Sequence, residues 1–226
     1  ALAVARVDMG GKNTRIQMAV PLSQSTLLAM AERDGHWQDE ASWDHERQRV
    51  RAERQLKLGA LVVRRTPQPS PAAPLCRALL IEQLQKSGSL DALPWTDSSH
   101  QLRQRLAWMH QQVGLPWPYR DLTTLLDQAD AWIGVTLEGC LGWSDISATR
   151  LEEALWGDLD WSLRQQLDEL LPRRIPIPSG RQAALFYSAD EVILAVKLQE
   201  MFGCDDGPHV LHGRIPVTSF SGLLLP

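Results

Sequence analysis

The sequence predicts an α+β chain in three successive parts: an N-terminal OB-like small β-barrel over residues 1–66, a central helical bundle over 67–173, and a C-terminal β-rich segment over 174–226 that packs on the bundle. Three observations carry this division. Polar and apolar residues alternate through much of the first part, the period of a half-buried strand. In the second part apolar residues recur every three or four positions between Pro- and Gly-bearing breaks, the period of amphipathic helices. In the third, short alternating runs return between turn residues.

In the first part Leu2 and Val4 open a strand, Asp8 to Asn13 supply turn residues, and Arg15 to Val20 alternate again, so a hairpin is expected. Ser23 can cap a helix over Gln24 to Glu32 by accepting from a backbone amide of the first turn, and Asp34-Gly35 ends it. Ala41 to His45 and Gln48 to Arg65 read as further strands, with Gly59 marking a bulge or sharp bend in the longer one. Five short strands and one helix suit an OB-like barrel; a split sheet with one covering helix is the alternative.

Between His45 and Arg65 stand seven basic residues, Arg47, Arg49, Arg51, Arg54, Lys57, Arg64 and Arg65, against the acids Glu46 and Glu53. Arg47, Arg49 and Arg51 share parity, so on a strand they would project from one face and could follow a phosphate backbone. With Arg54, and with Arg15 on the opening hairpin, they are the candidate nucleic-acid-binding residues. The competing explanation is a solvated outer face that keeps an edge strand from aggregating. Trp37 and Trp43 could stack on bases or fill the core of a small barrel.

Pro67 to Pro74 form a linker-like break. After it Leu75, Leu79, Leu80 and Leu84 share a helix face that Ser87-Gly88 terminates, and Leu102, Leu106, Met109 and Val113 mark a second amphipathic helix from whose apolar stripe Arg103 and Arg105 point away. Asp121 can cap a helix carrying Leu122, Leu125, Leu126, Ala129, Trp132 and Ile133. Two more helices are expected over Ala148 to Trp156 and Trp161 to Leu171. Seven of the nine tryptophans fall in this part, where short helices need large side chains to fill a core. Trp95 and Trp117, beside prolines, are the expected exceptions.

In the third part Ile175 and Ile177 lie in a Pro-bearing edge strand, Ser179-Gly180 turn the chain, and Arg181 to Tyr187 form a strand. Val192 to Val196 read as a strand or the start of a buried helix, and Leu198 to Gly203 as a short helix stopped by glycine. Gln199 and Glu200 read as capping or bridging groups rather than catalytic ones. Cys204, Asp205, Asp206, His209 and His212 offer metal-ligating atoms, but their spacing matches no standard zinc pattern.

A net charge of -4 gives no global attraction to nucleic acid or anionic lipid, so any such affinity must be local. Cys76, Cys140 and Cys204 are odd in number and far apart, which suggests neither a disulfide framework nor a CxxC metal site and fits a cytoplasmic setting. No apolar run is long enough to span a membrane. Phosphate-loop, Asp-Glu-Ala-His, G-x-S-x-G and H-E-x-x-H patterns do not occur, so ATP hydrolysis by these residues alone is not expected. The chain opens within a strand and without Met, and reads as a piece of a longer protein.

The most specific residues are Pro178-Ser-Gly-Arg181, Tyr187, Leu198-Gln-Glu-Met-Phe-Gly203, Pro208 and Gly213-Arg-Ile-Pro-Val217. With Leu2 to Asp8, Ala19 to Leu22, Val50-Arg-Ala52, Leu58 to Leu61, Leu93-Pro-Trp95, Leu102 to Leu106 and Ala131-Trp132 in the same order, they resemble the C-terminal region of the bacterial DEAH-type ATP-dependent helicase family HrpB. Gly180, Arg181, Tyr187, Gln199, Glu200 and Gly203 are thus its signature positions. The resemblance implies an RNA helicase whose ATP and Mg sites lie in an upstream core, with no cofactor in this part. It implies single-stranded RNA, or else DNA, as a partner of the barrel, and the helicase core of the same chain as another. A protein partner recruited through the Trp- and Pro-rich middle part is the alternative. After Val217 the family continues with a run resembling Leu-Leu-Ser-Pro-x-Gly-Arg-Pro, whereas this chain has Thr218 to Pro226.

Overall fold

The computed structural model describes residues 2–8, 15–68, 72–203 and 207–220; of these, the side chains of Asp8, Arg15, Leu198, Ser219 and Phe220 are left out of the description. Of the expected turn from Asp8 to Asn13, residues 9–13 lie outside the described residues, as do Cys204, Asp205 and Asp206 of the thiol and carboxylate cluster. The fold is mixed α+β, and its contacts divide into two units, Ala1–Leu79 and Leu80–Pro226.

The first unit begins with an antiparallel pair, β1 (Leu2–Asp8) and β2 (Arg15–Pro21), followed by helix α1 (Gln24–Asp34). Ser23 caps α1 as expected, its hydroxyl accepting from Thr26 N at 3.0 Å. Gly35 ends it because a Cβ there would meet Ala31 O at 2.3 Å and Lys57 O at 2.6 Å. A three-stranded antiparallel meander follows, β3 (His36–Asp44), β4 (Arg49–Leu58) and β5 (Leu61–Pro67). The single long strand expected over Gln48 to Arg65 is two strands: Gly59 has φ +59°, open to glycine, and folds the chain back between Leu58 and Leu61. Among the described residues the five strands form two sheets, not one closed barrel.

Helix α2 (Ala73–Ser87) spans the division between units, with Pro74 tolerated in its first turn where an amide has no intrahelical partner. The second unit continues with α3 (Asp97–Val113), α4 (Leu122–Asp127), α5 (Ala129–Ile133), α6 (Ala148–Trp156) and α7 (Trp161–Leu170). Asp121 caps α4 through Oδ1, accepting from Thr123 N and Thr124 N at 3.0 and 3.1 Å. The stripe from Leu122 to Ile133 is two short helices, because the backbone leaves helical geometry at Gln128. Leu84, Leu102, Leu106, Met109, Leu125, Ile133, Leu151 and Leu167 form the centre of the core. Trp117 is also core, against the expectation for a tryptophan beside proline, as are Trp132 and Trp156, whereas Trp161 is exposed.

The closing strands β6 (Arg174–Pro176), β7 (Gln182–Tyr187), β8 (Val192–Ala195), β9 (His209–Val210) and β10 (Ile215–Phe220) make one sheet in the order β6-β7-β8-β10-β9. Val192 to Ala195 is therefore a strand, and Leu198–Met201 forms a 3-10 turn. β10 pairs parallel to β8 and antiparallel to β9, so Thr218 to Phe220, beyond Val217, still belong to the sheet. The sheet joins the helices through Leu211 N to Leu170 O at 2.8 Å, Trp108 Nε1 to Ser188 O at 2.8 Å and Tyr187 N to Gln101 Oε1 at 2.8 Å.

Candidate nucleic-acid interface

The basic residues are positioned by the β3–β4 hairpin. Its register runs without a bulge from His36 opposite Lys57 to Asp44 opposite Arg49. The connection is His45 to Gln48, in which Asp44 Oδ1 accepts from Glu46 N at 3.0 Å and Arg47 N at 3.1 Å, and Gln48 takes φ +51°. The Arg47 amide chiefly, with the Glu46 amide and the charges of Arg47 and Arg51, holds the Asp44 carboxyl below its ordinary value.

This turn corrects the expectation that Arg47, Arg49 and Arg51 extend from one strand face. Arg47 lies in the turn, and only Arg49 and Arg51 belong to β4. They are exposed and alternate with buried Val50 and Ala52. Arg49 faces Asp44 and Arg51 faces Ser42 in the register. Arg54 has the other parity and belongs to the opposite face, where it stands 3.6 Å from Asp39 and 5.4 Å above the Trp37 ring. Arg15 lies in β2 and its side chain is outside the described residues. Trp37, exposed, and Trp43, half-buried, share the Arg54 face rather than that of Arg49 and Arg51.

The other cations of this sheet are committed to acids: Lys57 to Glu40 at 3.2 Å, Arg64 to Glu32 at 3.6 Å and Arg65 to Glu53 at 2.9 Å. Arg47, Arg49 and Arg51 make no ion pair among the described residues. The hairpin thus ends in three arginines, Arg47, Arg49 and Arg51, beside two acids, Asp44 and Glu46, a net charge of +1 (3 − 2).

The residues expected as signature positions take structural roles. Gly180 has φ +83° and donates to Ile177 O at 2.8 Å in the turn before β7, and Gly203 has φ +88°. Arg181 pairs with Glu200 at 3.0 Å, and Glu200 also accepts from Lys197 N at 3.0 Å. Gln199 lies beside it in the 3-10 turn. Tyr187 is buried and its hydroxyl donates to Pro172 O at 2.6 Å; burial raises its pKa.

Sequence reasoning missed two arginines. Arg103 and Arg105, expected to point away from the core, are both buried. Arg105 Nε donates to Leu171 O at 2.6 Å, its Nη2 to Leu167 O at 3.2 Å and to the Asp168 carboxylate, so it closes the C-terminal carbonyls of α7. Arg120 does the same for α6, with Nε 2.9 Å from Leu155 O. The carbonyls lie more than 30 residues away in sequence, so only the crowding of charges into an apolar stretch, Leu102 to Leu106, could have flagged them.

Comparison with known proteins assigns the two units consistently. Residues 36–68, which comprise β3 to β5, match the family described as ATP-dependent RNA helicase HrpB, connector region. Residues 132–224 match HrpB_C, described as ATP-dependent helicase C-terminal. The ATP-dependent RNA helicase HrpB of Escherichia coli (strain K12) is 29% identical over 210 residues, covering 91% of this chain and 26% of that protein. A crystal structure of the E. coli DExH-box NTPase HrpB superposes with a TM-score of 0.60 at 27% identity, covering 97% of this chain and 28% of that one. A second, of the E. coli DEAH/RHA helicase HrpB, gives 0.59 at 29% identity over 82% of this chain and 24% of that one. The chain therefore matches the C-terminal region of an ATP-dependent RNA helicase, and it spans about a quarter of the length of the relatives it matches. Both matched regions, the relative and both structures carry the name HrpB, so it is to HrpB helicases that this chain is similar.

Proposed function

We propose that this chain serves an HrpB-type ATP-dependent RNA helicase as a region that contacts single-stranded RNA through the basic end of the β3–β4 hairpin. The observation that carries this reading is the exposure of Arg49 and Arg51, joined by Arg47 in the adjoining turn, while the sheet's other cations are paired with acids. Side chains two residues apart on a strand stand about 7 Å apart, a spacing that lets successive arginines track successive phosphates. Arg54 and Trp37, on the other face, add a cation and an aromatic surface to the same hairpin, and Arg15 is a further candidate.

Three parts cooperate in this reading. Residues 1–66 act as an open OB-like element that touches the strand, with single-stranded DNA as the other candidate ligand of the same site. Residues 67–173 with 174–226 form the appendage that the family adds. ATP and Mg act in the helicase core, which is the intramolecular partner. Fluorescence titration of the chain with a single-stranded RNA at low salt tests this. Saturable binding that weakens when Arg47, Arg49 and Arg51 are changed to Ala is expected; no binding, or binding indifferent to the triple change, contradicts it.

The alternative, recruitment of a protein partner, has exposed Trp161 in its favour. A partner retained from nuclease-treated lysate, and lost with Trp161→Ala, would favour it over RNA contact.

A further inference from the structure

A pocket that the RNA reading of the hairpin does not use is walled mostly by residues between the two matched family regions, with Ala189 from the second. It is about 240 Å³, and its walls include Arg103, Gln104, Trp108, Tyr119, Asp121 and Leu122. Arg103 and Asp121, whose charges act on each other, both line it, and each keeps one buried polar atom without a hydrogen bond. Arg103 is 93% buried by its 7% exposure, and while its Nη1 donates to Arg120 O at 3.1 Å, its Nε is buried without a hydrogen bond. Asp121 commits Oδ1 to the cap of α4, while its Oδ2 is buried and unbonded. A buried donor and a buried acceptor left open in one pocket each cost free energy unless something satisfies them.

The aromatic walls are held in place. Trp108 is fixed by its bond to Ser188 O at 2.8 Å, and the Tyr119 ring packs on His110 with centroids 4.9 Å apart. A ligand for this pocket must be flat enough for these rings, must present acceptors to the open side of a guanidinium and, next to them, a donor to a carboxylate oxygen. A free carboxylate or phosphate meets the first electrostatic demand and fails the second, because Asp121 repels it. A base edge that reads acceptor, acceptor, donor meets both. Guanine has that order at N7, O6 and N1–H, and cytosine has it at O2, N3 and N4–H; adenine and uracil alternate donor and acceptor.

We propose that this pocket takes one unpaired guanine or cytosine base, with Arg103 donating to the two acceptors, Asp121 accepting from the donor, and Trp108 and Tyr119 against the ring. For the source of that base, a single strand, it rests on the RNA contact proposed above. The hairpin would then supply affinity through phosphates and the pocket would supply base preference.

The test compares the whole chain binding to hexauridylate and to otherwise identical oligomers carrying one guanine, cytosine or adenine, with free GMP followed through tryptophan fluorescence as a separate arm. Asp121→Asn keeps an oxygen for the α4 cap and turns the open acceptor into a donor, so it should fold, which far-UV circular dichroism checks. Guanine- or cytosine-bearing oligomers should bind about tenfold tighter than the others, with the preference lost in Asp121→Asn and hexauridylate binding unchanged. Changing Arg47, Arg49 and Arg51 to Ala should weaken all oligomers alike and leave the preference intact. If no oligomer binds but GMP does, and Asp121→Asn weakens it, the pocket stands with a free nucleotide as its ligand and the RNA reading falls. Equal affinity for all bases together with GMP binding that is absent or insensitive to Asp121→Asn overturns the pocket.

Discussion

Arginine is used in opposite ways by the two units. In the second unit Arg105, Arg120 and Arg164 turn inward onto main-chain carbonyls, with Arg164 Nε 3.1 Å from Leu159 O and its guanidinium 5.0 Å above the Trp156 ring. In the first unit they turn outward, and at the hairpin end Arg49 and Arg51 have neither a carbonyl nor an acid bound among the described residues. The difference follows from what each fold leaves unsatisfied. Short helices have many C-terminal carbonyls for their length, and a buried planar guanidinium can close several at once. An antiparallel meander satisfies its own backbone, so its arginines are available for something outside the chain.

Substitutions should therefore separate stability from binding. The largest loss is expected for Arg105→Ala, which strands the Leu171 carbonyl and leaves the Leu167 carbonyl with the Leu171 amide alone: about 3 kcal/mol by urea unfolding, with Arg105→Lys recovering part of it. RNA binding by the folded fraction should be unchanged.

Tyr187→Phe removes the bond to Pro172 O and should cost about 1 kcal/mol. Its pH dependence has a definite sign. The folded-state pKa is raised, so the unfolded chain loses the proton first, near the ordinary tyrosine value of 10. The stability that Tyr187 contributes is complete below pH 10 and declines as pH rises above it. The Phe variant should lack that alkaline decline in urea unfolding followed against pH.

Asp44→Asn addresses the hairpin end. The carboxyl is held low in the fold, so its contribution is present at neutral pH and lost as pH falls below the ordinary carboxylate value near 4. The protection factors of the Glu46 and Arg47 backbone amides should fall in the variant at pH 7 and in the wild type only in acid.

The regular parts of this architecture were legible wherever local chemistry decides them. Ser23 and Asp121 cap because their side chains reach amides two or three residues on, and α6 occupies the expected Ala148–Trp156. Gly59 was recognised as a break, but a break inside a strand and a turn between two strands leave the same mark in sequence. Arg47 was misplaced for the same reason: alternation counts parity but does not see that Asp44 takes the Arg47 and Glu46 amides out of the ladder. Arg103, Arg105 and Trp117 were misjudged because their partners are supplied by tertiary contact, which no periodicity records.

The smallest effect on stability and the largest on binding should come from changing Arg47, Arg49 and Arg51 together to Ala. These exposed side chains should alter unfolding by less than about 0.5 kcal/mol. The salt dependence of single-stranded RNA affinity reads their role directly. If three phosphates are met there, the slope of log affinity against log salt should become shallower by about 2 in the triple variant. An unchanged slope would contradict the claim that the basic end of the β3–β4 hairpin is where this chain meets RNA.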